Sequence, residues 1–288
     1  MKNTFLKNNM LVIGLLAVFL QATAQDYIPT EKDIKHFSET KTAIVLEDNP
    51  IAEYNLLMRE LAPMEWKITP FEFMTWKNFE KKAADRSYSF VTMNKVTIEK
   101  DKSNALYLFM SLVLGGPSKG LSDMRDLCSI PVAYYGANEE TYLYKLSVFL
   151  RFMQNHVRLI SQNPSISDKN ILMYYNKNIQ KIEGKTLYLL ADELAKDVDT
   201  EAEIGKVYEG QVKIVTREEV QKAIEHKDPN VIFLHKVGPG SRKSNALCYK
   251  MLVDVAEAQF YYFDYHKIDN KSPDAFLVSD FKKLSRKN

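Results

Sequence analysis

The feature that most constrains this chain is a repeat within it. Lys102-Ser103-Asn104-Ala105-Leu106 returns as Lys243-Ser244-Asn245-Ala246-Leu247, and each copy opens a long apolar run. Around it, Lys41-Thr42-Ala43-Ile44-Val45-Leu46 matches Lys185-Thr186-Leu187-Tyr188-Leu189-Leu190. Ile68-Thr69-Pro70-Phe71-Glu72-Phe73 likewise matches Val215-Thr216-Arg217-Glu218-Glu219-Val220. The matches keep the same order in both halves, so one fold is expected twice.

Each copy is readable by period and punctuation. An apolar strand (43–46; 187–190) leads to a helix (51–61; 200–208) and then to a short strand (66–68; 211–215). Thr69 and Thr216 stand three residues before Glu72 and Glu219, the capping-box spacing that satisfies free backbone N–H groups at the start of a second helix. Three strands follow (88–98, 105–114 and 127–135; 231–237, 246–255 and 259–268), and their short polar or glycine-bearing connections imply antiparallel hairpins. A helix closes each copy. The first (138–162) carries Tyr142, Leu146, Phe149, Met153, Val157 and Ile160 on one stripe, and the second (275–284) is short.

The expected fold class is α/β with mixed sheets, in two homologous β-α-β-α-β-β-β-α units joined by a helical linker. Their relation is left open between a pseudo-twofold and a tandem. The boundaries are a signal peptide at 1–24, a first unit at 25–163, a linker at 164–184 and a second unit at 185–288. In the linker, Ile171, Leu172, Tyr175, Ile179 and Ile182 recur at helical spacing between Asn163-Pro164 and Gly184, which predicts a packing face between the units.

Export is read from the first residues. Lys2 and Lys7 precede an apolar run from Met10 to Leu20, and Ala22-Thr23-Ala24 fits signal cleavage before Gln25. No cysteine near that point can accept lipid. Losing Lys2 and Lys7 takes the basic residues from 39 to 37, equal to the 37 acidic ones, and a neutral chain argues against a nucleic-acid partner. No later stretch is long and apolar enough for a transmembrane segment. In an oxidising compartment Cys128 and Cys248 would be free to form a disulfide, though both sit in apolar runs where buried single thiols are equally expected.

The order β-α-β-α-β-β-β is similar to that of the TolB amino-terminal domain and of the periplasmic α/β domain in curli-secretion-type outer-membrane proteins. Val215-Thr216-Arg217-Glu218-Glu219-Val220 and Met251-Leu252-Val253-Asp254-Val255-Ala256-Glu257 carry the likeness. The turn Ala256-Glu257-Ala258 lacks the glycine usual there, and the first copy lacks the Asp. The resemblance implies a domain that works through protein contacts in the cell envelope. The signal peptide resembles those of Bacteroidota.

Motifs for chemistry are few. Gly115-Gly116-Pro117-Ser118-Lys119-Gly120 has the wrong order for a phosphate loop, and Gly238-Pro239-Gly240-Ser241-Arg242-Lys243-Ser244 joins two strands and reads as a hairpin tip. The five histidines show no metal spacing, although His235 and His266 fall in strands read as neighbours. No catalytic residue, metal site or cofactor is assigned. The best positional candidates for a ligand site are Glu47, Asp48, Asp192 and Glu193, because open α/β sheets place ligands at strand carboxyl ends. Their plainer role is as loop acids or helix caps. In the block Phe260-Tyr261-Tyr262-Phe263-Asp264-Tyr265, alternation sets Phe260 beside Tyr262 and Tyr261 beside Phe263.

The expected function is a non-enzymatic, exported envelope module, periplasmic or extracellular, that binds or assembles with an envelope or secreted protein. The alternatives are a periplasmic small-ligand-binding protein with a cleft between the units, and an envelope enzyme using the strand-end carboxylates.

Overall fold

The computed structural model describes residues 29–97, 103–118, 120–166, 171–240 and 245–285. The signal peptide, its cleavage point and the start of the expected linker helix at Asp168 lie outside them. The first sheet holds β1 (Lys41–Leu46), β2 (Phe71–Thr75), β3 (Tyr88–Thr97), β4 (Leu106–Leu114) and β5 (Arg125–Tyr134) in the order β2-β1-β3-β4-β5. The second holds β6 (Thr186–Leu189), β7 (Gln211–Ile214), β8 (Val231–Val237), β9 (Leu247–Asp254) and β10 (Phe260–Lys267) in the order β10-β9-β8-β6-β7. Read from the other edge, the second order repeats the first. In each, the first three strands are parallel and the last two run back as antiparallel hairpins. The chain is an internal duplication of one mixed α/β unit.

Helices α1 (Glu31–Phe37), α2 (Glu53–Glu65), α3 (Trp76–Lys82) and α4 (Leu146–Gln162) belong to the first unit. After α5 (Ile171–Asn176) and a 3-10 turn (Lys177–Ile182) come α6 (Glu201–Ile204), α7 (Arg217–Glu225) and α8 (Val278–Leu284). The predicted stripe of α4 is buried, and so are Val148 and Phe152 on its flank. A helix with one sheet needs one apolar stripe, whereas α4 has two sheets to cover. Gln154 donates to the Glu65 carbonyl in the first unit (2.8 Å), while Arg151 donates to the carbonyls of Val255 and Ala256 in the second (2.9 and 2.8 Å).

The helices fix how the units are related. In the first unit α2 and α4 pack on the face bearing Ile44, Leu46 and Val91, and α3 packs on the face bearing Ala43, Val45 and Phe90. In the second, α6 and α8 pack on the face of Leu187, Leu189 and Ile232, and α7 on the opposite face. The buried interior joins the α2/α4 face of the first unit to the α7 face of the second. Non-equivalent faces meet, so the arrangement is a head-to-tail tandem; a pseudo-twofold would bury the same face twice.

Topology also corrects the sequence alignment. With helices matched, Ile44 corresponds to Leu187, one residue out of step with the match of Lys41 to Lys185, and a one-residue slip moves every strand side chain to the other face. The described residues of the shared pentapeptide hold equivalent places, at the entry to β4 and at the entry to β9. Asn104 (φ 52°) and Asn245 (φ 71°) are both left-handed, and the following Ala105 and Ala246 are both fully buried. Asn tolerates that backbone better than other non-glycine residues, which accounts for its recurrence. Lys102, Lys243 and Ser244 lie outside the described residues.

The second capping box forms: Thr216 Oγ1 accepts from Glu219 N (3.3 Å) and Glu219 Oε2 accepts from Thr216 N (2.9 Å). The first does not. The short strand expected at 66–68 is β2, and it starts after Pro70, so Glu72 sits in a strand. There it pairs with Lys41 and accepts from Tyr88 OH (2.9 Å), while Thr69 Oγ1 meets Thr42 Oγ1 (2.5 Å) and Trp66 Nε1 (2.9 Å). Proline is tolerated at the entry to an edge strand, and Phe71, Glu72 and Phe73 then alternate.

Gly115, in the loop mistaken most easily for a phosphate site, is required by packing. A Cβ there would lie 2.1 Å from the Asp85 carbonyl oxygen and 2.8 Å from that of Tyr88. Backbone oxygens cannot step aside as a side-chain tip can. Gly115→Ala is therefore expected to cost about 2 kcal/mol or more, read by urea denaturation; a loss within error would show that the loop relaxes freely.

Candidate functional site

The structure does not gather the four strand-end acids; it leaves one pair at each sheet. Glu47 and Asp48 follow β1 and are exposed. The turn is held by Asn55, whose side chain bonds the backbone N–H and carbonyl of Glu47 (2.8 and 3.0 Å). Partial burial, with Glu139 nearby, raises the Glu47 carboxyl above its ordinary range. None of the four acids caps the helix that follows it: Ala52 precedes α2 without a side-chain cap, and α6, after Asp192 and Glu193, is capped by Thr200.

Asp192 and Glu193 follow β6 in a 3-10 turn and behave differently from one another. Asp192 is exposed and accepts from Arg217 Nη2 (2.9 Å). Glu193 turns inward, and its Oε2 is shut off from solvent with no hydrogen-bond partner. Burial raises its carboxyl, opposed by the ammonium groups of Lys145 and Lys236.

Asp192 stands on the rim of a cleft of about 930 Å³ on the α8 side of the second unit. Strand ends position it: Asp192 follows β6, and Lys236 is near the end of β8. Its lining includes four carboxylates (Asp192, Asp197, Asp269, Asp274) and four ammonium groups (Lys196, Lys236, Lys271, Lys282). The deepest of these form a nearly buried pair, Lys236 Nζ to Asp274 Oδ1 at 2.9 Å. The other Asp274 oxygen accepts from Gly240 N (2.7 Å). Burial pulls the Lys236 ammonium down, but the Asp274 carboxylate outweighs it and holds it above its usual range. Gly238 makes the seat possible, because a Cβ there would fall 1.9 Å from Asp274 Oδ1.

Behind this wall lies a polar cluster that sequence reasoning missed. Lys145 is 1% exposed. Its Nζ lies 3.3 Å from His235 Nδ1, and His235 Nε2 donates to the Pro131 carbonyl (2.9 Å). Burial pulls Lys145 down, and burial with Lys145 beside it holds His235 well below the usual imidazole range. The Tyr144 hydroxyl is buried without a partner. The available signal was a lysine inside the apolar segment from Tyr142 to Phe149.

The other expected sites resolve against chemistry. His235 and His266 are not on neighbouring strands, because β9 lies between β8 and β10. A disulfide between Cys128 and Cys248 is not formed: both thiols are free and buried, Cys128 in the first sheet and Cys248 in the second, with Cys248 Sγ directed at the Ala275 carbonyl. Burial pushes the Cys128 thiol well up, the opposite of what a nucleophile needs. Among the described residues no group of three or more His, Cys, Asp or Glu side chains could hold a metal ion. Compared with known family models, curated proteins and solved structures, the chain matches none, so no match supports the likeness to TolB and curli-secretion domains.

Proposed function

We propose that this chain is an exported, non-enzymatic protein-binding module of the cell envelope, and that the cleft of its second unit receives a polar segment of the partner. One observation carries the reading. A general acid or base must be both tuned and reachable, and at this cleft Glu193 is shifted but sealed within the wall, while Asp192 is held at the surface in an ion pair with Arg217; Glu47, exposed and raised by partial burial, is not among the residues that line the cleft. The cleft, with balanced charge and a volume near the upper end of ligand pockets at roughly 1,000 Å³, suits recognition of polar groups of both signs. Export rests on Lys2, Lys7, the apolar run and Ala22-Thr23-Ala24. No helix among the described residues is long and apolar enough to cross a membrane.

The test is capture from envelope extract by the chain beginning at Gln25. Reversing the rim lysines (Lys196→Glu with Lys282→Glu) is expected to abolish capture of the partner without lowering the melting temperature appreciably. Asp48→Asn with Asp192→Asn should leave capture within a few-fold. If that second variant captures its partner normally yet fails to restore a deletion strain, the enzyme reading replaces this one. Capture untouched by the rim reversal would remove the cleft from the reading.

A further inference from the structure

His235 belongs to β8 of the second unit, yet the partners of its side chain belong to the first. Its Nε2 faces the Pro131 carbonyl of β5 at 2.9 Å, and a carbonyl only accepts, so that nitrogen carries the proton. Its Nδ1 is then a bare lone pair, met at 3.3 Å by the ammonium group of Lys145, the residue before α4. The ring also packs on Phe149 of α4, with centroids 4.8 Å apart. His235 and Lys145 are both buried.

A second proton on this ring has no acceptor. It would sit on Nδ1 and point at an ammonium group, which has only donors to offer. The surrounding charges give little relief. Lys236 on the same strand adds another cation beside the ring, and Lys145 itself stands among Glu193, Asp192, Arg217 and Lys236. Glu193 opposes the Lys145 charge most strongly, but burial raises its carboxyl, so acidification weakens that opposition as well. An imidazole kept neutral in the closed junction and free to protonate in an open one makes the open form bind more protons below about 6.5, the ordinary imidazole value. The junction therefore has its full stability above that pH and loses it as pH falls.

His156, on α4 at the same junction, lacks this arrangement. Its Nδ1 meets the Tyr175 hydroxyl at 2.7 Å, and the backbone of Leu127 engages the ring as well. A hydroxyl can turn from donor to acceptor, and the ring borders a cavity of about 190 Å³ beside Phe152 and Phe260. Burial holds this imidazole down to about 4 without a cation facing it. Its acid sensitivity is common to every variant at position 235, so such variants isolate the contribution of His235.

We propose that the contact of His235 with Pro131 and Lys145 is an acid-sensitive latch between the two units, closed while the imidazole is neutral and loosened in mild acid, when protonation sets an imidazolium against the Lys145 ammonium. The latch does not depend on what the charged cleft receives.

Hydrogen exchange on the chain beginning at Gln25, at pH 7.0 and 5.0 and corrected for the intrinsic pH dependence of exchange, reads the opening. Amides of β8, β9 and α4 are expected to open at least roughly 30-fold more at pH 5.0, the effect of one proton gained between about 6.5 and 5, and those of β1 and β3 much less. His235→Gln keeps a donor for Pro131 and an acceptor for Lys145 but has no proton to gain, and it should take away roughly that factor. Should the variant fail to fold, ring-proton NMR of the unaltered chain decides: the His235 signal should hold its neutral position down to pH 5 in the folded protein and titrate near 6.5 in urea. Titration of His235 near 6.5 in the folded protein, an increase in opening that survives His235→Gln, or equal opening at the two pH values would each overturn the proposal.

Discussion

Lys250→Met is expected to destabilise the second unit by about 3–5 kcal/mol, because it removes one partner of a buried ion pair and strands the other. Lys250 Nζ donates to both oxygens of Asp280 (2.7 and 2.8 Å), and Asp280 is fully buried. The carboxylate has further work to do: it accepts from Tyr262 OH (2.7 Å) and from Leu277 N (2.8 Å), which fixes the start of α8. Those two donors keep part of the charge satisfied once the lysine is gone, so the loss should not exceed the range given. They also explain why α8, only 7 residues long, holds its place over the sheet with Phe281 and Leu284. Urea denaturation followed by circular dichroism measures the effect. A loss under about 1 kcal/mol would mean that water or a proton reaches Asp280 in the variant, and that the pair contributes specificity rather than stability.

That pair was not legible in the sequence, and the reason is general. Lys250 lies within an apolar strand run, and Asp280 reads as an ordinary first-turn helix acid 30 residues later. Local pattern revealed the elements well. Val231–Val237 was bounded correctly because β-branched and aromatic residues end against Asp228-Pro229-Asn230 on one side and Gly238-Pro239-Gly240 on the other. The hairpins and the α4 stripe followed from equally local signals. Features of non-local origin were misread. The strand at 66–68 was a loop, since only pairing with β1 decides which of two short runs becomes the edge strand. In β10 the register shifts between Phe260 and Tyr262, so Phe260 turns to α4 while Tyr261 and Tyr262 both join the α8 side, contrary to simple alternation.

The candidate site was legible to the same depth. Strand-end logic picked out Asp192, which does line the cleft. Lys236 and Asp274 escaped notice because their partnership depends on a loop folding back over the end of β8, with Gly238 making room. Glu47 and Asp48 obey the same rule but are not among the residues that line that cleft. Strand order therefore located a region, whereas the side chains that shape it came from connections that the repeat does not share.

Phe152→Ala tests whether the two units are one cooperative structure. The ring is 3% exposed and stacks on Phe260 with centroids 3.8 Å apart and planes at 14°, so a first-unit helix meets a second-unit strand face to face. Tyr175 from the linking helix lies 5.5 Å from the same ring. Truncation removes a buried aromatic from this junction and enlarges the cavity beside it, at an expected cost of about 3–5 kcal/mol. Where that cost appears matters more than its size. If α4 is the shared layer, hydrogen exchange should accelerate throughout β9 and β10 and along α4, while the central strands β1 and β3 of the first sheet keep most of their protection. The head-to-tail packing predicts this asymmetry: the first unit retains α2 and α3 on its two faces, whereas on the face turned to α4 the second keeps only α7. Equal acceleration in both sheets would show a single folding unit with no weaker half, and unchanged exchange in β10 would show that Arg151 and Asn155, which bond the turn before it, hold the units together without the ring stack.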